Sequence, residues 1–191
     1  MEERIIAAFE ESAAVKKSFA EENLKTIAGL AMTIADTFKR GNKLLLFGNG
    51  GSAADAQHLA AEFINRFQIE RPPLPALALT TDTSVITSIG NDYDFSEIFS
   101  KQVKALGSEG DIAIAISTSG NSQNVLNAVN VASSMGIQTV GLTGKDGGKI
   151  GEAVDILLNV NTSSTPRIQE AHITLGHTIC DLVDHILFGA K

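Results

Sequence analysis

With 191 residues, 43% of them hydrophobic, the chain is long enough for one globular domain with a sizeable core and too short for two of ordinary size. Its 15 Lys and Arg stand against 22 Asp and Glu, which excludes the basic surface of a nucleic-acid binder, so an anionic ligand would need local donors. The single Cys180 cannot form an intrachain disulfide and reads as a buried, inert thiol in a reducing compartment. The opening MEERIIAAFEESAAV is acidic where a signal peptide is basic, and no apolar run approaches the roughly 20 residues that span a bilayer. A cytoplasmic protein without membrane contact is expected.

Residues 2–40 place Ile5, Phe9, Leu24, Ile27, Leu30, Ala31, Ile34 and Phe38 at helical spacing, which predicts one or two long helices. After Gly41 the pattern changes to short apolar runs bounded by Gly, Asp, Ser or Thr: KLLLF (43–47), ALALTT (76–81), DIAIAIS (111–117), QTVGLTG (138–144) and VDILLNV (154–160). Near-continuous apolar strands separated by helical stretches describe a parallel sheet covered on both faces. The fold class is therefore α/β, a three-layer αβα sandwich with five parallel strands. Helices are predicted over 52–67, 95–106, 122–135 and 167–187, and RPPLP (71–75) reads as a loop.

In such sheets ligands bind beyond the carboxyl ends of the strands. The loop after the first strand is GNGGS (48–52), and Ser52 with Asp55 three residues on has the form of a capping box. A glycine-rich loop opening a helix presents backbone N–H groups and the positive end of the macrodipole to a phosphate. The same residues also satisfy G-x-G-x-x-A (Gly48, Gly50, Ala53), a dinucleotide pattern for which Asp82 is the candidate ribose acceptor, and they equally fit a structural turn. The loop after the third strand, STSGNS (117–122), brings four hydroxyls ahead of another helix and can enclose a phosphate without a lysine; its plain alternative is an N-capped turn. Two such loops favour a sugar phosphate or nucleotide over either loop's structural reading.

His58 and Glu62, at i and i+4, share one face of the helix that GNGGS opens, as a metal pair or an acid/base pair would, or as a solvated face would. The stretch RIQEAHITLGHTICDLVDHIL carries Gln169, Glu170, His172, His177 and His185. Gln169 and His177 lie about 12 Å apart along one helix, so a shared small site requires Gln169 to turn inward at the helix start, or different subunits to contribute.

Taken together, GNGGS, STSGNS, the H-x-x-x-E helix, the closing R-I-Q-E-x-H-x-x-x-x-H, and the segments SIGNDYDFSEIFSKQV and LTGKDGGK resemble the sugar isomerase (SIS) domain family over essentially the whole chain. The resemblance is to its branch that converts sedoheptulose 7-phosphate into D-glycero-D-manno-heptose 7-phosphate, the first step toward activated heptose for the bacterial envelope. It implies a homotetramer with sites at subunit boundaries, one structural unit in which residues 1–40 pack in the oligomer and 41–191 form the SIS domain. It further implies one zinc per subunit, held by His58, Glu62, Gln169 and His177. Substrate would be lined by Asn49, Gly50, Gly51, Ser52, Asn91, Asp92, Ser117, Thr118, Ser119 and Ser122, together with Glu62 and Gln169. Glu62 and His177 would be the catalytic pair. INRF, ERPPLPALAL, KQVKALG and CDLVDHILF also resemble a non-catalytic branch that binds the bacterial replication initiator; that branch lacks the Glu62–His177 pair, so the enzyme is favoured.

Overall fold

The computed structural model describes residues 1–189, so the last two positions of the 41–191 unit lie outside it. The chain runs α1 (Glu2–Lys39), β1 (Leu44–Gly48), α2 (Gly51–Ile64), β2 (Ala76–Ala78), α3 (Thr83–Asp92), a 3-10 turn (Phe95–Glu97) and α4 (Ser100–Leu106). It continues through β3 (Ile112–Ser117), α5 (Gln123–Ser134), β4 (Gln138–Gly144), α6 (Gly148–Ala153), β5 (Ile156–Val160) and α7 (Thr165–Phe188). The five strands are all parallel, in the order β2-β1-β3-β4-β5. The expected sandwich is present.

Strand residues alternate between two buried layers, as a period of two requires. Leu44 and Leu46 of β1 pack with α1, α2 and α7, through Leu30, Ile34, Leu59, Phe63 and Ile179. Leu45 and Phe47 face the other side, against α4, α5 and α6, through Phe99, Val103, Val125, Val129 and Ile150. Both faces are covered by helices, which is why the strands read as unbroken apolar runs.

Several boundaries differ from the sequence reading. The first helix is a single one, since no Gly or Pro breaker falls within it except Gly29, which a packed helix tolerates. β2 stops at Ala78 because Thr81 turns back to bond the Ala78 carbonyl and Asp82 then caps α3 by accepting from Val85 N–H at 3.0 Å. Asp82 is thus a cap. The expected helix over 95–106 is broken between the 3-10 turn and α4. Neither α3 nor α6 was foreseen: α3 is rich in Thr, Ser and β-branched residues and has no buried position, and α6 spans six residues with two glycines. Ser52 is not a cap either: Gly50 takes φ +56 and is itself the N-cap, so Ser52 lies buried inside the first turn of α2.

Helix α7 is anchored to the sheet by His172, 1% exposed, whose Nε2–H donates to the Thr143 carbonyl at 2.9 Å while Nδ1 has no partner. Burial pushes this imidazole down from 6.5 to about 4, the carbonyl contact opposing only in part. Between those values the unfolded chain takes up a proton that the folded protein refuses, so stability is lost as pH falls through this window. Urea unfolding at pH 7.5 and pH 5 is expected to show the His172→Gln variant losing about 2 kcal/mol less than the parent on acidification. Equal losses in the two proteins would remove His172 as the source.

Candidate active site at the switch point of the sheet

The strand order reverses between β1 and β3, and it is there that an open parallel sheet leaves a crevice beyond its carboxyl edge. The two loops singled out in the sequence, 49–50 after β1 and 118–122 after β3, flank this crevice. They are tied across it by a reciprocal amide pair. Asn49 Nδ2 donates to Asn124 Oδ1 at 2.8 Å, and Asn124 Nδ2 donates to Asn49 Oδ1 at 2.9 Å. Asn124 is buried and its Oδ1 also accepts from Val125 N–H. Sequence reasoning missed Asn124, because one asparagine inside a helix carries no signal until its partner 75 residues away is known.

The second loop is a hydroxyl cluster. Ser117 Oγ lies 3.1 Å from Ser122 Oγ and 3.5 Å from Ser119 Oγ, with Ser122 at the N-cap of α5 and its side chain not spent on capping. Thr118 is half-buried beside them. The loop is braced from behind: Ile150 N–H donates to the Gly120 carbonyl at 2.9 Å, and Lys149 N–H donates to Asn121 Oδ1 at 3.2 Å. Serine hydroxyls at the amino end of a helix form an anion cradle that needs no lysine. That suits a chain of net charge −7.

Helices α2 and α7 supply the remainder. Both begin at the carboxyl end of the sheet and lie side by side in the same direction, as the order of their contacts shows. A Cβ on Gly51 would fall 2.2 Å from Gln169 Nε2, and one on Gly176 would fall 2.4 Å from Leu59 Cδ2. This close approach brings His177 Nε2 to 3.3 Å from His58 Nε2, which is 3.1 Å from Glu62 Oε1. The His177 ring is steadied by Phe67, stacked at 5.5 Å between centroids.

His58, Glu62 and His177 each offer one ligand atom within 4.8 Å of the others. His58 Nε2 carries at most one proton yet faces both a carboxylate oxygen and another imidazole nitrogen. Three lone pairs converging with so few protons suit a cation, and two imidazoles with a carboxylate are a zinc donor set that leaves a position open. Asp55, three residues before His58, has a buried Oδ2 without a partner; burial raises its carboxyl above the usual range, while His58 and His177 pull it down.

Gln169 lies against Gly51 at the glycine loop, near the start of α7 and about 12 Å along that helix from His177. Gly50, Gly51 and Ser52 form the turn and first residues of α2 at the same end. Asn91 and Asp92 are placed differently. They sit exposed on the last turn of α3, where Asn91 Nδ2 donates to Asp92 Oδ1 at 2.8 Å. Cys180 is buried, and burial, with Glu62 and Asp184 nearby, pushes its thiol up to about 12, in keeping with an inert role.

The SIS domain family model matches residues 9–144. A phosphoheptose isomerase of Thermodesulfovibrio yellowstonii is 55% identical over 98% of this chain and 94% of its own, and that of Aquifex aeolicus is 52% identical over 98% of both. The structure is similar to those of phosphoheptose isomerases from Neisseria gonorrhoeae (TM-score 0.90, 47% identity, 96% and 98% of the two chains) and Francisella tularensis (TM-score 0.92, 41% identity, 96% and 97%). The initiator-binding reading receives no support from these relatives. With the crevice, the two donor loops and the His–Glu–His group in place, the chain belongs to the SIS domain family and, within it, to the phosphoheptose isomerases.

Proposed function

We propose that this protein is an aldose–ketose isomerase that converts sedoheptulose 7-phosphate into D-glycero-D-manno-heptose 7-phosphate, opening the route to activated heptose for the bacterial envelope. The observation that carries the reading is the convergence of Glu62, His58 and His177 in a chain that also builds a lysine-free anion cradle. Moving a carbonyl between adjacent carbons requires a base that takes a proton from one and returns it to the other through an enediol, and an acid that serves the oxygens.

The phosphate is held by Ser117, Thr118, Ser119 and Ser122, and the sugar by Asn49, Gly50, Gly51 and Ser52. Glu62 transfers the proton between C1 and C2; its Oε1 faces His58, which leaves Oε2 for the carbon-bound proton. His177, its ring held by Phe67, exchanges protons with the sugar oxygens. His58, Glu62, Gln169 and His177 would hold a zinc ion, one per subunit, which would polarise the carbonyl. Gln169, beside the glycine loop and about 12 Å along α7 from His177, contributes to substrate, and to the metal from a different subunit.

A homotetramer completes this reading. On α1, Phe9 is 75% and Leu24 64% exposed, and an apolar groove of about 310 Å³ runs between α1 and α7, lined by Phe19, Leu24, Ile27, Leu175 and Leu182. The N-terminal helix thus packs on its own domain and offers a second face to neighbouring copies. Helix α3, with nothing buried, is free to present Asn91 and Asp92 at a subunit boundary. Among the described residues no helix is long and apolar enough to cross a membrane, and we place the enzyme in the cytoplasm.

Incubation with sedoheptulose 7-phosphate is expected to yield an aldoheptose phosphate; no turnover would overturn the reading. Glu62→Gln should lower kcat about 10²–10⁴-fold while circular dichroism and oligomer size stay as in the parent. Near-normal turnover would remove Glu62 as the base. Chelator treatment should abolish activity and added zinc restore it, whereas full activity in protein shown metal-free by elemental analysis would exclude the metal role.

A further inference from the structure

Arg71 lies in the loop that the sequence reading passed over as RPPLP, yet its side chain is 1% exposed and that of its partner Asp184 4%. Its Nε–H donates to Asp184 Oδ1 at 2.9 Å. Nη2 donates to the Glu62 carbonyl at 2.8 Å, and Nη1 to the carbonyls of Phe63 at 2.6 Å, Pro72 at 3.2 Å and Asn65 at 3.3 Å. The guanidinium therefore closes the carboxyl end of α2, where orphaned carbonyls and the negative end of the macrodipole attract a cation and no Lys or Arg stands in the last turn. Through Asp184 the same group reaches α7.

Glu62 is thus tied by its own backbone carbonyl. On the other helix Asp184 follows His177 by seven residues, about two turns, and so lies on the same face. One side chain joins the end of α2 that carries Glu62 to the face of α7 that carries His177. As a device for stability alone the arrangement is poor: it buries two charges and leaves Asp184 Oδ2 without a partner, where apolar residues of similar volume would hold the helices at least as well. What a guanidinium adds is direction, since its planar fork admits only one setting of the groups it bonds.

We propose that Arg71 and Asp184 are positioning residues for the isomerase, a buried clamp that sets α2 against α7 so that the His58–Glu62 pair meets His177. The catalytic part of this inference rests on the isomerase reading; the geometric part does not. Neither residue touches substrate in this account, and both act through the two helices. A shift of about 1 Å between catalytic groups is enough to lower a rate by about two orders of magnitude.

The test replaces the pair with apolar side chains, Arg71→Met with Asp184→Leu, so that no lone charge is left buried; Arg71→Lys is the second variant, should the double one fail to fold. In folded variants kcat should fall about 10- to 100-fold with KM within about 3-fold of the parent. Affinity for cobalt(II), followed by its visible absorption on metal-stripped protein, should fall about 10-fold or more. A crystal structure of the variant should show the His58–His177 contact opened beyond hydrogen-bond reach. A folded variant that keeps the parent's kcat, cobalt affinity and imidazole contact would overturn the clamp. If the parent turns over no heptose phosphate, the isomerase reading falls, while the imidazole contact in the variant still decides the clamp.

Discussion

The close, parallel packing of α2 on α7 is the constraint on which the site depends. In an all-parallel sheet every helix that follows a strand starts at the carboxyl edge and runs back, so helices on one face travel together. Here two of them touch along their length, with Gly176 lying flush against Leu59. The Leu59 side chain fills the space that a Cβ at 176 would take, and polar groups from the two helices are brought within hydrogen-bond distance. A larger residue at 176 would open the seam where three titratable side chains must converge.

Charge is managed locally. The chain is acidic, yet the crevice at the switch point is built from amide N–H groups and hydroxyls, which can bind an anion without a protein-wide positive field. The Asn49–Asn124 pair holds the two loops at a common spacing, and the backbone contacts from residues 149 and 150 prevent the serine loop from folding outward. Rigid placement matters more than donor number, because preorganised dipoles need not reorient as the ligand's charge develops.

Much of this was legible in the residues. Five apolar runs announced a doubly covered parallel sheet, since burial on both faces leaves no polar alternation to confuse the pattern. GNGGS and STSGNS stood at the carboxyl ends of strands that prove to be neighbours, and the i, i+4 spacing of His58 and Glu62 guaranteed a shared helix face. Other signals misled. Ser52 and Asp55 had the letters of a capping box, but Gly50, at positive φ, is the N-cap and starts the helix two residues earlier than a Ser52 cap would, turning both to other duties. Helix α3 escaped notice because Thr, Val and Ile favour strands on local grounds, and Asp82, weighed as a ribose acceptor, is what caps it.

The sequence by itself determined the layers, the strand count and the local donors, because these follow from period, glycine placement and spacing along a single element. Long-range pairing was decided only by tertiary structure. That His177 would meet His58, that Asn124 would hold Asn49, and that Arg71, in what reads as a plain proline-rich loop, would close one helix and grip another are matters of how elements far apart in the chain are set against each other. Periodicity shows which face of a helix is buried. Which partner it meets, and at what offset along the axis, is settled by close packing of the whole core.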